Sequence, residues 1–223
     1  NDHYRGLQVG ETLQLNLQQM EAAYLARHER RLEITKTISL VDLLGGAQAF
    51  AAQTATGQIN FELTEKLFDE DYPGHYMRQI KSIAISLPTL LGPYQDVKAT
   101  LTQTKSSTLL NASIDGVKYL NAQSGNKGGA KIVMNLRASQ QIALSSGLND
   151  AGLFALNFGD ERFLPYEGTG AVSNWTLAFP RYKSDSQQAL LNALTDVIVH
   201  VRYTALDGGA TFAGLVEQQT LTS

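Results

Sequence analysis

The stretch GLFALNFGDERFLPYEGTGAVSNWTLAFP, residues 152–180, decides the fold class of this chain. Apolar residues alternate with other residues at both of its ends, as they do in half-buried strands. The alternating residues are Phe154, Leu156 and Phe158 at the first end and Trp175, Leu177 and Phe179 at the second. Residues 159–170 between them are polar, contain glycine and proline, and are too many for a two-residue hairpin. The stretch therefore predicts two strands joined by a long ordered loop.

The same alternation recurs along most of the chain. It is found at residues 32–40, 59–63, 83–87, 97–101, 132–136, 142–144 and 197–203. Lys36 falls on the apolar side of the first of these segments, which indicates a strand end or an edge strand. The βαβ rhythm of a parallel sheet is missing, so about nine strands with turn residues between them predict an antiparallel β-sandwich. Residues 41–57, rich in Ala, Gln and Thr, fit either a short helix or a loop.

A helix is predicted ahead of the first strand, over residues 10–31. Its apolar residues recur at the helical spacings of four, three and four, namely Leu13, Leu17, Met20 and Tyr24. We expect this helix to cover the β-domain, with a contact to a neighbouring subunit or domain as the alternative. The predicted fold class is therefore mainly β, an antiparallel β-sandwich with an N-terminal amphipathic helix.

The composition is that of an ordinary globular protein and disfavours several classes of function. Of the 223 residues, 43% are hydrophobic and 17% are charged, and the net charge of -3 provides no basic face for nucleic acid. Cysteine is absent, which excludes disulfides and thiolate chemistry. No apolar run approaches the roughly 20 residues of a membrane-spanning helix, so no membrane contact is expected. The sequence lacks an initiating Met and a basic leader, which indicates a fragment of a longer polypeptide.

No catalytic, cofactor-binding or metal-binding residue is predicted. The four histidines form no His-x-x-x-His pair. The acidic residues 69–71 lack the spacing of a calcium loop, so we expect these acidic residues to be solvated. The sequence contains neither a Gly-x-Ser-x-Gly elbow nor a Gly-Lys-Ser/Thr phosphate loop. The residues alone therefore show no evident active site and indicate no cofactor.

Two alternatives to a pure scaffold stay open at this point. The first is a carbohydrate-binding β-sandwich module, in which Trp175 and Tyr166 would form a sugar platform, although Trp175 has the phase of a core residue. The second is a hydrolase that uses Asp160 or Glu167 as a catalytic carboxylate.

Three blocks of the sequence resemble a known family. They are the opening stretch, DEDYPGHYMRQIKSIAISLPTLLGPYQDVKATL at residues 69–101, and LTDVIVHVRYTA at residues 194–205. They follow the helical segment GETLQLNLQQMEAAYLARHERRLEI. Most of the chain from residue 6 to residue 206 thereby resembles the C-terminal TcB-binding domain of TcA, the A component of insecticidal Tc toxin complexes.

The resemblance implies a docking function within a secreted bacterial virulence toxin. In that family TcA is a homopentamer, and this domain receives the TcB component of the TcB–TcC cocoon. Docking opens the gate of the TcB β-propeller, so that the toxic enzyme is translocated through the TcA channel. The implied parts are a helix joining the domain to the channel (1–31), the TcB-binding β-sandwich (32–206) and a tail without a match (207–223).

Two loops are expected to contact TcB, because binding residues gather on loops that a rigid scaffold holds. The predicted contacts are Asp71, Tyr72 and His75 in the first loop, and Asp160, Glu161, Arg162, Tyr166 and Glu167 in the second. The alternative for the second loop is that Phe163, Leu164 and Tyr166 fold it back onto the core.

Overall fold

The computed structural model describes residues 2–26, 30–88, 96–122, 129, 131–136, 139–146, 153–157 and 166–221. The strands in these residues are β1 (Leu32–Ser39), β2 (Gln58–Leu63), β3 (His75–Pro88), β4 (Asp96–Leu109), β5 (Ile132–Asn135), β6 (Ser139–Ser146), β7 (Leu153–Asn157), β8 (Val172–Ala178) and β9 (Ile198–Asp207). The helices are α1 (Asp2–Ala26), α2 (Leu40–Leu43), α3 (Ala47–Thr54), α4 (Glu65–Asp69), α5 (Ile114–Ala122), α6 (Asp185–Ala193) and α7 (Ala210–Leu221). Within the described ranges, no helix has the length and apolar character needed to cross a membrane.

The chain divides into two compact units, Asn1–Arg31 and Leu32–Ser223. The first unit contains α1, which begins and ends earlier than the predicted 10–31. The helix continues through Gly10. A glycine inside a helix costs only about 1 kcal/mol, which is too little to make the helix begin there. The apolar residues of the predicted stripe are 59% exposed at Leu13, 54% at Leu17 and 68% at Met20, and the Tyr24 side chain lies outside the description.

The first sheet has the strand order β1-β9-β3-β7, and every neighbouring pair is antiparallel. β1 is an edge strand of this sheet, as the position of Lys36 predicted. An inward charge on an edge strand discourages pairing with another chain. Two register shifts interrupt the pairing of β3 with β9, one between Tyr76 and Gln79 and one between Ile80 and Ser82.

The second sheet has the strand order β2-β8-β4-β5, with β6 also paired to β4. One side of β4 pairs with β8, while the other side pairs first with β6 and then with β5, all antiparallel. The two sheets and the preceding helix confirm the predicted mainly β, antiparallel sandwich with an N-terminal helix.

The apolar faces of the two sheets pack against each other in one core. Trp175 is 1% exposed, so its phase predicted its position correctly. Its ring stacks with Phe61 at a centroid distance of 6.4 Å and meets the Tyr166 ring edge-on at 4.9 Å. Other buried members are Ile80, Ile85, Leu87, Val199, Val201 and Tyr203 from the first sheet and Ile59, Leu63, Leu101 and Leu177 from the second.

Helical connections cross between the sheets at one end of the sandwich. α2 and α3 lead from β1 in the first sheet to β2 in the second, and α6 leads from β8 back to β9. Residues 41–57 thus hold two short helices, separated by Gly45 and Gly46 with φ angles of 86° and 120°. Glycine adopts this backbone without strain, which lets the chain turn sharply between α2 and α3.

The segment 207–223, predicted as a tail, contains the packed helix α7. Phe212 and Val216 of this helix are 6% and 0% exposed and belong to a second apolar cluster. The other buried members of that cluster are Leu109, Val117 and Ile132. A Cβ atom on Gly74 would lie 2.6 Å from the Cα of Ala213, so glycine is needed where the chain meets α7. Phe212 and Val216 have the four-residue spacing of a helix face. The glycines before them and the polar residues after them made the segment look like a tail in the sequence.

Substituting Phe212 tests whether α7 belongs to the folded domain. Phe212→Ala should lower the free energy of unfolding by about 3 kcal/mol, because it opens a cavity in the second cluster. Leu215→Ala is the matched control on the same helix, since Leu215 is 45% exposed. Urea unfolding measures both variants, and equally small losses would show that α7 is not part of the cooperative unit.

Candidate docking site

A cluster of buried charges lies under the first predicted loop. Arg78 donates from Nη1 to Glu65 Oε1 at 2.6 Å and from Nη2 to Asp69 Oδ1 at 2.7 Å. All three side chains are at most 2% exposed. Arg78 Nη2 also donates to the backbone carbonyl of Tyr72 at 3.0 Å. The guanidinium therefore joins α4, the turn that follows it and β3.

The local sequence explains how these charges meet. Thr64 caps α4 by accepting a hydrogen bond from a backbone N–H at 3.2 Å. Glu65 and Asp69 lie four residues apart, which places them on one face of this short helix. Met77 has a φ of 52°, and one register shift of β3 spans it. A bulge re-aims the side chains beside it, and here it accompanies the inward direction of Arg78.

The cluster sets two carboxylates against one guanidinium. Burial, followed by the charge of Glu65, raises the pKa of Asp69 to about 7, against the lowering effect of Arg78. Burial lowers the pKa of Arg78, but Glu65 and Asp69 outweigh it and hold that pKa above its ordinary value. Burial also raises the pKa of the nearby Tyr203 phenol to about 12. The expectation that residues 69–71 are solvated is therefore wrong for Asp69.

The predicted contacts in the first loop are partly exposed and partly tied to the domain. Asp71, with 44% of its side chain exposed, pairs with Lys36 Nζ at 2.5 Å. Tyr72 is 45% exposed and stacks on His75 with ring centroids 5.3 Å apart. Burial and the charge of Arg78 lower the pKa of His75, which favours the neutral ring in this stack.

The structure describes only the end of the second predicted loop, from residue 166 onward. Its predicted contacts Asp160, Glu161 and Arg162 lie outside the described residues, as do Phe163 and Leu164. Glu167 is exposed, as a contact residue should be. Tyr166 is 2% exposed and donates its hydroxyl to the Leu101 carbonyl at 2.6 Å. Tyr166 is thus a core residue, which favours the alternative that this part of the loop folds back onto the sandwich.

The described parts of both loops meet at the beginning of β3. The N–H of Gly168 donates to the Ile80 carbonyl at 2.9 Å, and the N–H of Ala171 donates to the Arg78 carbonyl at 3.0 Å. The first loop enters the same strand at His75. The structure therefore brings the first loop and the described end of the second loop to the same end of the sandwich.

Three of the residues considered for other chemistry have structural roles. Trp175 and Tyr166 are buried, which contradicts the proposed sugar platform. His200 contacts Ser86 through Nε2 at 3.0 Å and Thr37 through Nδ1 at 3.2 Å, whereas a hydrolytic triad places a carboxylate at the second nitrogen. Across the described residues, no group of three or more His, Cys, Asp or Glu could hold a metal ion.

Sequence reasoning missed Glu65 and Arg78. One signal for them was present, since Glu65 and Asp69 have the four-residue spacing of a helix face. A second signal was the alternation of Arg78 with the apolar Ile80, which puts both side chains on one side of a strand. An arginine on the buried side of a strand calls for a carboxylate partner, because an unpaired charge is costly to bury.

The fold is that of a β-sandwich domain with an N-terminal helix. Residues 1–205 match the family described as the Tc toxin complex TcA C-terminal TcB-binding domain. The chain belongs to this family, which confirms the resemblance seen in the three sequence blocks.

Known toxin proteins are similar to nearly the whole chain. The toxin subunit YenA2 of Yersinia entomophaga is 47% identical over 215 residues, which are 96% of this chain and 15% of YenA2. The cryo-EM structure of Morganella morganii TcdA4 matches with 33% identity and a TM-score of 0.53, over 88% of this chain and 8% of that one. Yersinia pseudotuberculosis TcaA-TcaB matches with 31% identity and a TM-score of 0.51, over 89% and 11%. The chain thus spans a small part of each relative.

Replacing Asp69 tests the protonation of the buried cluster. Folding raises the pKa of this carboxyl from 3.8 to about 7. Its contribution to stability is therefore fully present below the unfolded pKa of 3.8 and is lost as the pH rises through the folded pKa of about 7. Asp69→Asn should therefore gain stability relative to the unmodified protein as the pH rises from about 4 to about 8. Urea unfolding across this range measures the difference.

The exposed neighbour Glu70 provides the control for this experiment. Glu70→Gln keeps the same turn and leaves the Arg78 cluster intact. The same pH dependence in both variants would contradict the assignment of the titration to Asp69.

Proposed function

We propose that this domain docks the TcB component of a Tc toxin. Membership of a family defined by TcB binding is the observation that carries the proposal. The proposed partner is another protein, so the domain needs a stable contact surface rather than a catalytic cleft.

The structure supports this proposal by the way in which its surface loops are held. Ordering mobile loops on binding costs free energy, so a surface that is fixed in advance binds more tightly. The buried Arg78 cluster fixes the first loop through charge-assisted hydrogen bonds. Packing of α7 against Gly74 and the bonds of Gly168 and Ala171 to β3 hold the neighbouring segments.

We further propose that five copies of the domain act together in a homopentamer of the complete A component. Five identical domains would then meet one TcB, so identical residues would make non-identical contacts. Docking would open the gate of the TcB β-propeller and pass the toxic enzyme from the TcB–TcC cocoon into the channel. In this proposal the domain is not itself an enzyme, it does not touch the membrane, and it acts within a secreted toxin.

The individual contact residues stay a prediction. Of those that the structure describes, Asp71, Tyr72 and Glu167 are exposed and can reach a partner. His75 is half-buried and stacked against Tyr72, so it can support the contact of the tyrosine.

Binding of TcB by the natural polypeptide that contains this chain tests the proposal. With the TcB–TcC cocoon immobilised, interferometry should show binding by the assembled A component. The separate 223-residue chain should bind roughly 100-fold more weakly or worse, because a single copy lacks the avidity of a ring. An assembled A component without measurable affinity for TcB would rule out the docking function.

A further inference from the structure

The cluster of Arg78, Glu65 and Asp69 contains one more acidic group than basic groups. The guanidinium pairs with both carboxyl groups, and all three side chains are at most 2% exposed. If both carboxyl groups were ionised, the protein would enclose an excess negative charge. An excess charge is costly to bury, and a buried carboxyl group usually avoids this cost by keeping its proton. One proton on Glu65 or Asp69 therefore balances the cluster.

The hydrogen bonds assign this proton to Asp69. Arg78 donates to Oδ1 of Asp69, but Oδ2 of the same group is buried and accepts no hydrogen bond from any residue that the structure describes. A buried oxygen without a donor costs less on a neutral carboxyl group than on a carboxylate. Burial and the charge of Glu65 raise the pKa of Asp69 to about 7, in agreement with this assignment.

The other titratable groups around Asp69 are neutral, paired or exposed. On β9, burial raises the pKa of the Tyr203 phenol to about 12, and on β3 burial lowers the pKa of His75, so both groups are mainly neutral at neutral pH. In the turn after α4, Asp71 pairs with Lys36 of β1. The charged residues on the neighbouring parts of α4, β9, α5 and α7 are at least partly exposed to solvent, namely Lys66, Glu70, Asp207, Asp115, Lys118 and Glu217. Arg78 is therefore the cation on which an ionised Asp69 would depend.

The same guanidinium also holds the first loop. Nη2 of Arg78 donates to Asp69 Oδ1 at 2.7 Å and to the Tyr72 carbonyl at 3.0 Å. Asp69 ends α4, and Tyr72 lies in the turn that follows, where its ring is 45% exposed and stacks on His75. A turn that opens to let water reach Asp69 would therefore also lose the bond between Arg78 and the Tyr72 carbonyl.

We propose that a proton on Asp69 holds the first loop in the conformation that docks TcB, so that loss of this proton weakens docking. This inference rests on the proposed function and adds regulation by pH to it. When Asp69 is ionised, opening of the turn relieves the cluster because water then reaches the carboxylate. TcB must order the turn again in order to bind, which lowers the affinity. Asp69 is thus a positioning residue, since it acts on TcB through Tyr72.

The affinity for TcB, measured against pH, tests this inference. Interferometry of the assembled A component on immobilised TcB–TcC should show binding that weakens at least about fivefold from about pH 6 to about pH 8.5, because Asp69 loses its proton in this range. Asp69→Asn keeps an acceptor for Arg78 but does not titrate, so its affinity relative to the unmodified protein should rise by the same factor. Glu70→Gln is the exposed control and should follow the unmodified protein. Comparison at each pH cancels the pH dependence of TcB itself.

A second variant decides the case if Asp69→Asn does not fold, as judged by thermal unfolding. Glu65→Gln leaves one carboxyl group against Arg78, so Asp69 can ionise without an excess charge and the loss of affinity at high pH should again disappear. An affinity of the unmodified protein that does not fall with pH, or an equal fall in either folded variant, would overturn the role of the proton but leave the docking function standing. Absence of binding by the unmodified assembled protein at every pH would instead reject the docking function, and this inference with it.

Discussion

The burial of one apolar face of each sheet against the other is the constraint from which the rest of the structure follows. Both sheets must keep this face covered, so the connections that change sheets can run only around the ends of the sandwich. At one end α2, α3 and α6 make these crossings. At the other end the chain passes through the Arg78 cluster and the segment of Gly168 and Ala171.

Much of this core could be predicted from the sequence because alternation reports which face a side chain occupies. Trp175, Leu177, Val199 and Ile85 all lie inside, in the phase that their neighbours indicate. Alternation does not report which strands are neighbours, since pairing depends on contacts between distant parts of the chain. The pairing of β3 with β9 could therefore be seen only in the structure.

The candidate site was less predictable, because its charges lie where the local patterns change. A register shift in β3 puts Arg78 and Ile80 out of phase with Ile83, so the alternation at residues 83–87 does not report that Arg78 turns inward. The partners Glu65 and Asp69 lie on a helix of five residues, which is too short to show an apolar period in the sequence.

The central proposal is that this domain docks TcB at the end of the sandwich that carries Tyr72 and Glu167. Hydrogen–deuterium exchange of the assembled A component, free and bound to the TcB–TcC cocoon, tests it most directly. The proposal predicts slower amide exchange around Tyr72, His75 and Glu167 when TcB is bound, with α3 and α6 unchanged. Exchange around Tyr72, His75 and Glu167 that TcB leaves unchanged would contradict it.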